Sequence, residues 1–279
     1  AYAPRGALRC GAIRVSQIAI PSPPMAIIIL QHGELIGPGR LGVTLRDHGF
    51  KLSVRRLDLP VDHALNRTAL EGFPSGQLIP PDFDNVHGVI SLGGSQNVGE
   101  EHSWMAPEMA FLKATHERQL PLIGICLGAQ MIAQTLGGTV GAMDKPELGM
   151  KTITLNAAGQ VDPLLAGIPW DAPHYQTHGY EVKQLPPGAT LLASSRECKN
   201  QIFKAGVRTY AFQSHPEFDK AMIEALIPGE KDFCVRAGTT QGELKAELDQ
   251  HYQMFARVAD RLCVNIASFL FPLERKLTA

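Results

Sequence analysis

A doubly wound α/β fold, with a mostly parallel sheet flanked by helices, is predicted by two features of this 279-residue sequence. Short apolar runs alternate with longer mixed segments from Met25 onward, as they do in a chain built from strand–helix repeats. Several of the runs are apolar on both faces, which a parallel sheet covered by helices requires. Shorter strand-like pieces follow, and they predict a small antiparallel addition within the same domain.

The predicted strands and helices alternate along the first half of the chain. Strands are predicted at 25–32, 51–57, 87–94 and 120–128, and helices at 38–50, 107–119 and 129–138. The antiparallel addition is predicted at 149–214, with a hairpin turn at Ala205-Gly206. This order places the strands of the first half side by side in one sheet.

The C-terminal segment is predicted to be helical. Thr240 and Glu243 form a capping-box pattern, and apolar residues then recur at helical spacings. These residues are Leu244, Leu248, Phe255, Val258, Leu262, Ile266 and Phe269. The stripe predicts a packing face, and its periodicity does not distinguish packing on the protein's own core from packing on a partner.

Residues 1–24 differ from the rest of the chain. They contain arginines but no acidic residue, and they end in the sequence PSPP. An Arg-rich, acid-poor start is typical of a transit peptide. The alternative, which we favour, is a non-native or disordered leader followed by Met25 as the initiator. We expect residues 25–279 to form a single domain with a C-terminal helical extension.

Composition and charge argue against several classes of function. The sequence is 44% hydrophobic and 19% charged with a net charge of −1, so no basic excess indicates nucleic acid or a membrane surface as a partner. The apolar runs are too short to span a bilayer. The five cysteines lack CxxC spacing and are odd in number, so neither a disulfide framework nor a zinc site is predicted. We therefore expect a cytoplasmic protein without a metal or another cofactor.

The sequence GICLG at 124–128 lies between a predicted strand and a predicted helix, which is the layout of a nucleophile elbow. The two glycines are needed because a Cβ at either position would collide with the neighbouring strand or helix. Such a turn presents Cys126 at the carboxyl edge of the sheet, where the helix N-terminus stabilises a thiolate. The alternative is a small cysteine that packs in a buried strand.

The sequence QSHPEF at 213–218 supplies a candidate base. Pro216 favours extended backbone before it, and residues two apart in extended chain point the same way, so His215 and Glu217 share a face. The carboxylate would hold the imidazole in one tautomer while the other ring nitrogen faces the thiol. A surface histidine beside a solvated glutamate is the alternative for this motif taken alone.

An oxyanion hole needs two backbone donors. By elbow geometry the first is the N–H of Leu127, the residue after the cysteine. The second is expected from the glycine-rich sequence SLGGSQN at 91–97, where we favour Gly94 as the donor and assign Gly93 to substrate binding. Glycine pairs are also common in ordinary turns, so this assignment depends on the other motifs.

These three motifs, in this order and spacing, closely resemble the class I, triad-type glutamine amidotransferases. The resemblance runs from Met25 to Phe218 and is strongest to stand-alone proteins related to the glutaminase domain of GMP synthetase. It implies a flavodoxin-like fold and a triad of Cys126, His215 and Glu217. The triad would attack the side-chain amide of glutamine, form a γ-glutamyl thioester and release ammonia.

The resemblance also implies substrate contacts. Gln130 matches the glutamine-binding position of the family, one helical turn beyond the nucleophile. The sequence QTHGYEV at 176–182 has Tyr180 where GMP synthetase-type domains carry an acid, and it looks more like the Asn-His-Gly-Phe segment of carbamoyl phosphate synthetase small subunits. Gly179 and Tyr180 are therefore implied substrate contacts, and His178 is interpreted as structural.

The candidate functions differ in what becomes of the released ammonia. The sequence has no P-loop pattern, so we expect either a separate subunit that accepts ammonia or a free-standing hydrolase. A γ-glutamyl peptide hydrolase with the same triad is the second candidate. A non-catalytic regulatory binding protein is the third, and the intact triad argues against it. Residues 60–85 are expected to form a loop over the site.

Overall fold

The computed structural model describes residues 25–73 and 76–271, so the leader predicted at 1–24 lies outside the described residues. The strands in this part of the chain are β1 (Ala26–Gln31), β2 (Lys51–Arg56), β3 (Val86–Ser91), β4 (Leu122–Ile125), β5 (Thr139–Leu155), β6 (Asp171–Gln184), β7 (Thr190–Ser194), β8 (Ile202–Ala205) and β9 (Thr209–Phe212). The helices are α1 (Gly39–Asp47), α2 (Ala64–Ala69), α3 (Met105–Glu117), α4 (Leu127–Thr135), α5 (Ala157–Val161), α6 (Lys220–Leu226), α7 (Lys231–Ala237) and α8 (Gln241–Asn265).

All of these strands belong to one sheet, in the order β2-β1-β3-β4-β9-β8-β7-β5-β6. The strands from β2 to β9 in that order run parallel, and the remaining four pair antiparallel. The predicted α/β class, with a doubly wound sheet flanked by helices, is thereby confirmed. The parallel half carries the strand ends at which such folds bind ligands.

The alternation of side chains along β1 divides the core into two layers. Ile27 and Ile29 pack with the apolar residues of α1 and α8, whereas Ile28 and Leu30 pack with those of α3 and α4. Every residue of β1 is buried. The predicted strand is apolar throughout because both of its faces are covered by helices.

The antiparallel part differs from the prediction in its extent. It begins at β5, earlier than the predicted start at 149, and it includes β6, which was not predicted as a strand. The inward residues of β6 are largely polar, among them the buried His174, Gln176 and His178. A strand whose buried residues are largely polar gives no hydrophobic alternation, so pattern analysis misses it.

The strand at 209–212 also has a different place from the one predicted. We expected it within the antiparallel addition, but β9 pairs parallel with β4 on one side and antiparallel with β8 on the other. Its end therefore lies next to the end of β4. This pairing brings the segment around His215 to the segment around Cys126.

The structure confirms the predicted N-terminal cap and packing face of the C-terminal helix. Thr240 and Glu243 form the capping box, and α8 packs on the protein's own core through the predicted stripe. The exception is Phe269, whose side chain is 57% exposed. A π-helical turn over Ile266–Leu270 adds one residue to the last turn, so Leu270 and Phe271 are buried instead.

Candidate active site

Cys126 occupies a sharp turn between β4 and α4. Its backbone has φ +51° and ψ −107°, an uncommon conformation for a residue that is not glycine. Its N–H donates a 2.8 Å hydrogen bond to the carbonyl of Phe212 at the end of β9. Strained backbone of this kind persists only where the surroundings enforce it, and it is concentrated at functional sites.

The two glycines that flank this turn are required by close approach. A Cβ on Gly124 would lie 2.6 Å from the carbonyl carbon of Gly128, and a Cβ on Gly128 would lie 2.1 Å from the carbonyl oxygen of Ser91. Both distances are far below a van der Waals contact. The collisions that the elbow motif predicted are therefore found at both positions.

His215 and Glu217 form a buried hydrogen-bonded pair. Nδ1 of His215 lies 2.8 Å from Oε1 of Glu217, and both side chains are almost fully buried. The backbone N–H of His215 donates to the carbonyl of Tyr175 in β6, and its ring stacks on Phe218 at 4.3 Å. The imidazole is thus fixed from three sides.

The other ring nitrogen of His215 faces the nucleophile turn. Within the described part of the chain, Nε2 of His215 is buried and has no hydrogen-bond partner. A Cβ on Gly93 would lie 2.8 Å from Cε1 of His215 and 3.5 Å from Cβ of Cys126. Gly93 therefore lies against both side chains, and its lack of a Cβ leaves room for the imidazole.

The surroundings of His215 favour its protonated form. Burial lowers the pKa of His215, but the Glu217 carboxylate and the charge of Cys126 outweigh that effect and raise it to about 10.

The other described cysteines have different surroundings. Cys198, Cys234 and Cys263 are buried, and burial raises the pKa of each thiol. Such thiols stay protonated and unreactive at neutral pH.

Two backbone N–H groups beside Cys126 lack acceptors. Leu127 begins α4, so its N–H has no intrahelical acceptor. For the N–H groups of Leu127 and Gly94 alike, the residues that the structure describes provide no hydrogen-bond acceptor. Both residues line the same cavity as Cys126. Two such donors are what an oxyanion hole requires, so the arrangement is compatible with that predicted role.

A cavity of about 840 Å³ opens beside Cys126. The predicted site residues on its wall include His215, Gln130, Gly179 and Tyr180. Nε2 of Gln130 donates to the carbonyl of Tyr180 at 2.9 Å and to Oε1 of Gln213 at 3.2 Å. Gly93 does not line the cavity, and it lies behind the wall against His215.

The outer wall of the cavity comes from elements that sequence analysis did not connect with the site. The segment leading into α7 and α7 itself contribute Glu230, Asp232, Phe233 and Arg236, and the β5 strand contributes Asp144. Burial raises the pKa of the Glu230 carboxyl. No motif marks these residues, because only the folded chain brings α7 over the end of β4.

His178 lies on the cavity wall, but both of its ring nitrogens are occupied. Nδ1 lies 2.9 Å from the carbonyl of Tyr180, and Nε2 lies 2.9 Å from Oε2 of the buried Glu147. A ring with both nitrogens engaged has no lone pair for a substrate, so the geometry supports the structural interpretation of His178.

The structure also bears on a metal ion, on the segment 60–85 and on membrane-spanning helices. Across residues 25–73 and 76–271, no group of three or more histidine, cysteine or carboxylate side chains is arranged to hold a metal ion. The described residues of 60–85 do not line the cavity, and part of the segment forms α2 beside β2. Where the structure describes it, the segment expected to form a loop over the site therefore contributes no residue to the cavity wall. In the described part of the chain, no helix has the length and apolar character needed to cross a membrane.

The fold and the site define an α/β protein in which a cysteine in a strained strand-to-helix turn lies beside a buried histidine–glutamate pair. The family model for class-I glutamine amidotransferases matches residues 43–225, and the chain belongs to this family. Members of the family are generally amide hydrolases. The resemblance inferred from the sequence motifs is thereby confirmed.

Relatives and solved structures agree with this assignment. The chain is 34% identical over 161 residues to the glutamine amidotransferase-like protein YfeJ of Salmonella typhimurium, covering 55% of this chain and 66% of that protein. It is 35% identical over 133 residues to a GMP synthase of Dehalococcoides mccartyi, covering 48% of this chain and 24% of that protein. It is 27% identical over 170 residues to gamma-glutamyl peptidase 3 of Arabidopsis thaliana, covering 57% of this chain and 68% of that protein.

The chain thus spans about a quarter of the length of the GMP synthase that it matches. Among solved structures, a glutamine amidotransferase from Thermotoga maritima superimposes with a TM-score of 0.71 at 19% identity, covering 88% of this chain and 98% of that one. Likeness at this level of identity shows the fold.

Proposed function

We propose that the protein hydrolyses a γ-glutamyl amide through a thioester on Cys126. His215 takes the thiol proton, and the thiolate attacks the amide carbon. The carbon–nitrogen bond then breaks, and His215 returns the proton to the leaving amine. Water, activated by His215, next attacks the thioester, which releases glutamate and restores the thiol. Glu217 holds the imidazole and stabilises its charge throughout.

One observation carries this proposal: the strained turn at Cys126 faces a buried imidazole whose Nε2 is free and whose Nδ1 is held by Glu217. A thiol that merely packed in the core would need neither an unpartnered imidazole nitrogen nor a carboxylate behind it. An unpaired polar atom at full burial carries a free-energy cost. In this proposal that nitrogen exchanges the proton of the Cys126 thiol, which lies next to it.

The remaining assigned residues have roles in binding the substrate and the transition state. The N–H groups of Leu127 and Gly94 would bind the oxyanion of the tetrahedral intermediate. Gln130, one turn along α4, and the backbone of Gly179 and Tyr180 would hold the glutamyl end of the substrate. Gly93, assigned to substrate binding from the sequence, acts in this proposal by giving the imidazole room.

A γ-glutamyl peptide is the second candidate substrate. The cavity of about 840 Å³ exceeds the space that a glutamine side chain needs, and it continues outward to Phe233 and Arg236. The Arabidopsis thaliana relative named a gamma-glutamyl peptidase matches this chain over a comparable span. A peptide extending from the scissile bond would occupy this outer part of the cavity.

A partner subunit follows if free glutamine is the substrate. The matched segment makes up about a quarter of the Dehalococcoides mccartyi GMP synthase, whose name describes glutamine hydrolysis coupled to a synthase. We propose that a separate protein would accept the ammonia in that case. A peptide hydrolase needs no such acceptor, so the substrate decides the partner.

The experiment is a comparison of glutamine and a γ-glutamyl dipeptide as substrates, with glutamate release as the readout. We expect hydrolysis of at least one of them, and its loss in Cys126→Ser. Cys198→Ala is the matched control, because that thiol is buried away from the cavity, and it should retain activity. Equal release by wild type and Cys126→Ser would overturn the proposal.

A further inference from the structure

We infer that His32 and Glu108 form a buried pair that positions the Gly93–Gly94 peptide as a donor of the oxyanion hole. The inference rests on the proposed function and adds two positioning residues to it. Neither side chain contacts the cavity, and both act through the backbone of the loop after β3.

The pair is held by a short chain of hydrogen bonds. Nδ1 of His32 lies 3.1 Å from the carbonyl oxygen of Gly93, and Nε2 lies 2.8 Å from Oε2 of Glu108. The other oxygen of Glu108 accepts a 2.7 Å hydrogen bond from the hydroxyl of Ser91. Both side chains of the pair are fully buried, and the ring of Trp104 covers the imidazole at 4.6 Å.

The partners of His32 determine its protonation. A carbonyl oxygen and a carboxylate both accept hydrogen bonds, and only an imidazolium donates from both ring nitrogens. Burial lowers the pKa of His32, but the neighbouring Glu108 carboxylate outweighs it, so the pKa is raised. Glu108 lies in the first turn of α3, where the helix dipole favours a negative charge. The pair is therefore an imidazolium held by a carboxylate.

Peptide geometry carries the effect of this pair to the active site. In a trans peptide the C=O and the following N–H point in opposite directions. When His32 holds the carbonyl of Gly93 on one side, the N–H of Gly94 points to the other side. That N–H has no acceptor among the described residues, and Gly94 lines the cavity with Cys126.

The charge of His32 adds to this orientation. A charge-assisted hydrogen bond to a carbonyl polarises the peptide and strengthens its N–H as a donor. Donors that are oriented before the reaction stabilise an oxyanion without reorganisation during it. The arrangement gives a role to a histidine–glutamate pair whose burial in the core is costly.

Glu108→Gln tests the inference, because glutamine keeps the size of the side chain but removes its charge and replaces one of the two acceptor oxygens with an NH2 donor. We expect kcat for the γ-glutamyl substrate to fall by about tenfold or more, with a much smaller change in KM, since oxyanion stabilisation acts in the transition state. The rate of Cys126 alkylation by iodoacetamide should stay the same, because displacement of iodide at a saturated carbon forms no oxyanion.

The alkylation rate separates positioning from general damage to the site. Cys126→Ser gives the background from other thiols, and Glu100→Gln is the matched control, because it removes the carboxylate from the exposed His102–Glu100 pair. An unchanged kcat in Glu108→Gln overturns the inference, and so does a parallel loss of alkylation and hydrolysis. Failure of wild type to hydrolyse any γ-glutamyl amide overturns the proposed function itself.

A second variant guards against misfolding of the first. His32→Asn keeps a donor near the carbonyl of Gly93 but loses the charge and the contact with Glu108. Because the two residues act as a unit, the double variant His32→Asn/Glu108→Gln should lose no more activity than the more impaired single variant. Additive losses would show independent roles and contradict the inference.

Discussion

At the scale of single residues, the turn at Cys126 depends on the absence of a Cβ atom at Gly128. An added Cβ would lie 2.1 Å from the carbonyl oxygen of Ser91. We expect Gly128→Ala to lower the free energy of unfolding by about 2 kcal/mol or more, because neither backbone can move without disturbing the sheet. Denaturant unfolding followed by circular dichroism measures this change.

Gly242→Ala is the matched control, since Gly242 also lies in the first turn of a helix and its added Cβ would meet no close neighbour. It should change stability by less than about 1 kcal/mol, and in the favourable direction. Equal effects of the two substitutions would mean that the close approach at Gly128 is not what the turn requires.

The His215–Glu217 pair makes a pH-dependent contribution to stability. The pKa of His215 is raised from 6.5 to about 10, so this contribution is fully present below pH 6.5 and is lost as the pH rises towards 10. Glu217→Gln removes the carboxylate that stabilises the imidazolium, and the pKa of His215 then falls.

We therefore expect the difference in free energy of unfolding between wild type and Glu217→Gln to shrink as the pH rises from 6.5 to 10. Denaturant unfolding of both proteins at several pH values measures it. A difference that stays constant over this interval would show that the pair is not charged in the folded protein.

Residues near one another in sequence were the ones that sequence analysis could find. Cys126 and its glycines form one local motif, and His215 and Glu217 are two residues apart, so each pattern is visible before folding. His32 and Glu108 are far apart in the chain and meet only through the packing of α3 on the sheet. No spacing rule connects them.

At the scale of elements, α8 shows where a periodic pattern stops being informative. The predicted stripe is buried up to Ile266, and then the π-helical turn rotates Phe269 to the surface. We expect Leu262→Ala to cost about 2–5 kcal/mol, the range for large-to-small changes in a core. Phe269→Ala should cost less than about 1 kcal/mol, because surface substitutions have small effects.

Thermal or denaturant unfolding of the two variants tests this contrast in one experiment. A cost for Phe269→Ala as large as that for Leu262→Ala would mean that Phe269 packs against the core, and it would contradict the π-helical turn. The comparison is well matched because both residues lie near the same end of the C-terminal helical segment.

The parallel strands were predictable because β1, β3 and β4 are apolar on both faces. The strand β6 was not, because its buried positions include His174 and Gln176. Strand pairing was also beyond sequence patterns, since β9 has the same local character whether its neighbour is parallel or antiparallel. That pairing with β4 is nevertheless what unites the two halves of the site.

At the scale of the whole molecule, the single continuous sheet bears on the domain organisation. We propose that residues 25–279 form one domain, because β9 joins the parallel and antiparallel halves and α8 packs on both. The fluorescence of Trp104 in a Trp170→Phe variant and far-UV circular dichroism should then give coincident unfolding transitions. Two separated transitions would contradict this proposal.

The cavity also belongs to this scale, because α4, β5, β6 and α7 together form its wall. The sequence motifs predict the chemistry at Cys126 but not the length of the substrate, since the outer wall comes from a helix that carries no motif.

The central claim is that Cys126 forms a γ-glutamyl thioester, and the most direct measurement is mass spectrometry of the acid-quenched enzyme during turnover. We predict a mass increase of one γ-glutamyl group on the peptide that contains Cys126, and its absence in Cys126→Ser. A group attached to another residue, or hydrolysis by the Cys126→Ser variant, would contradict the account.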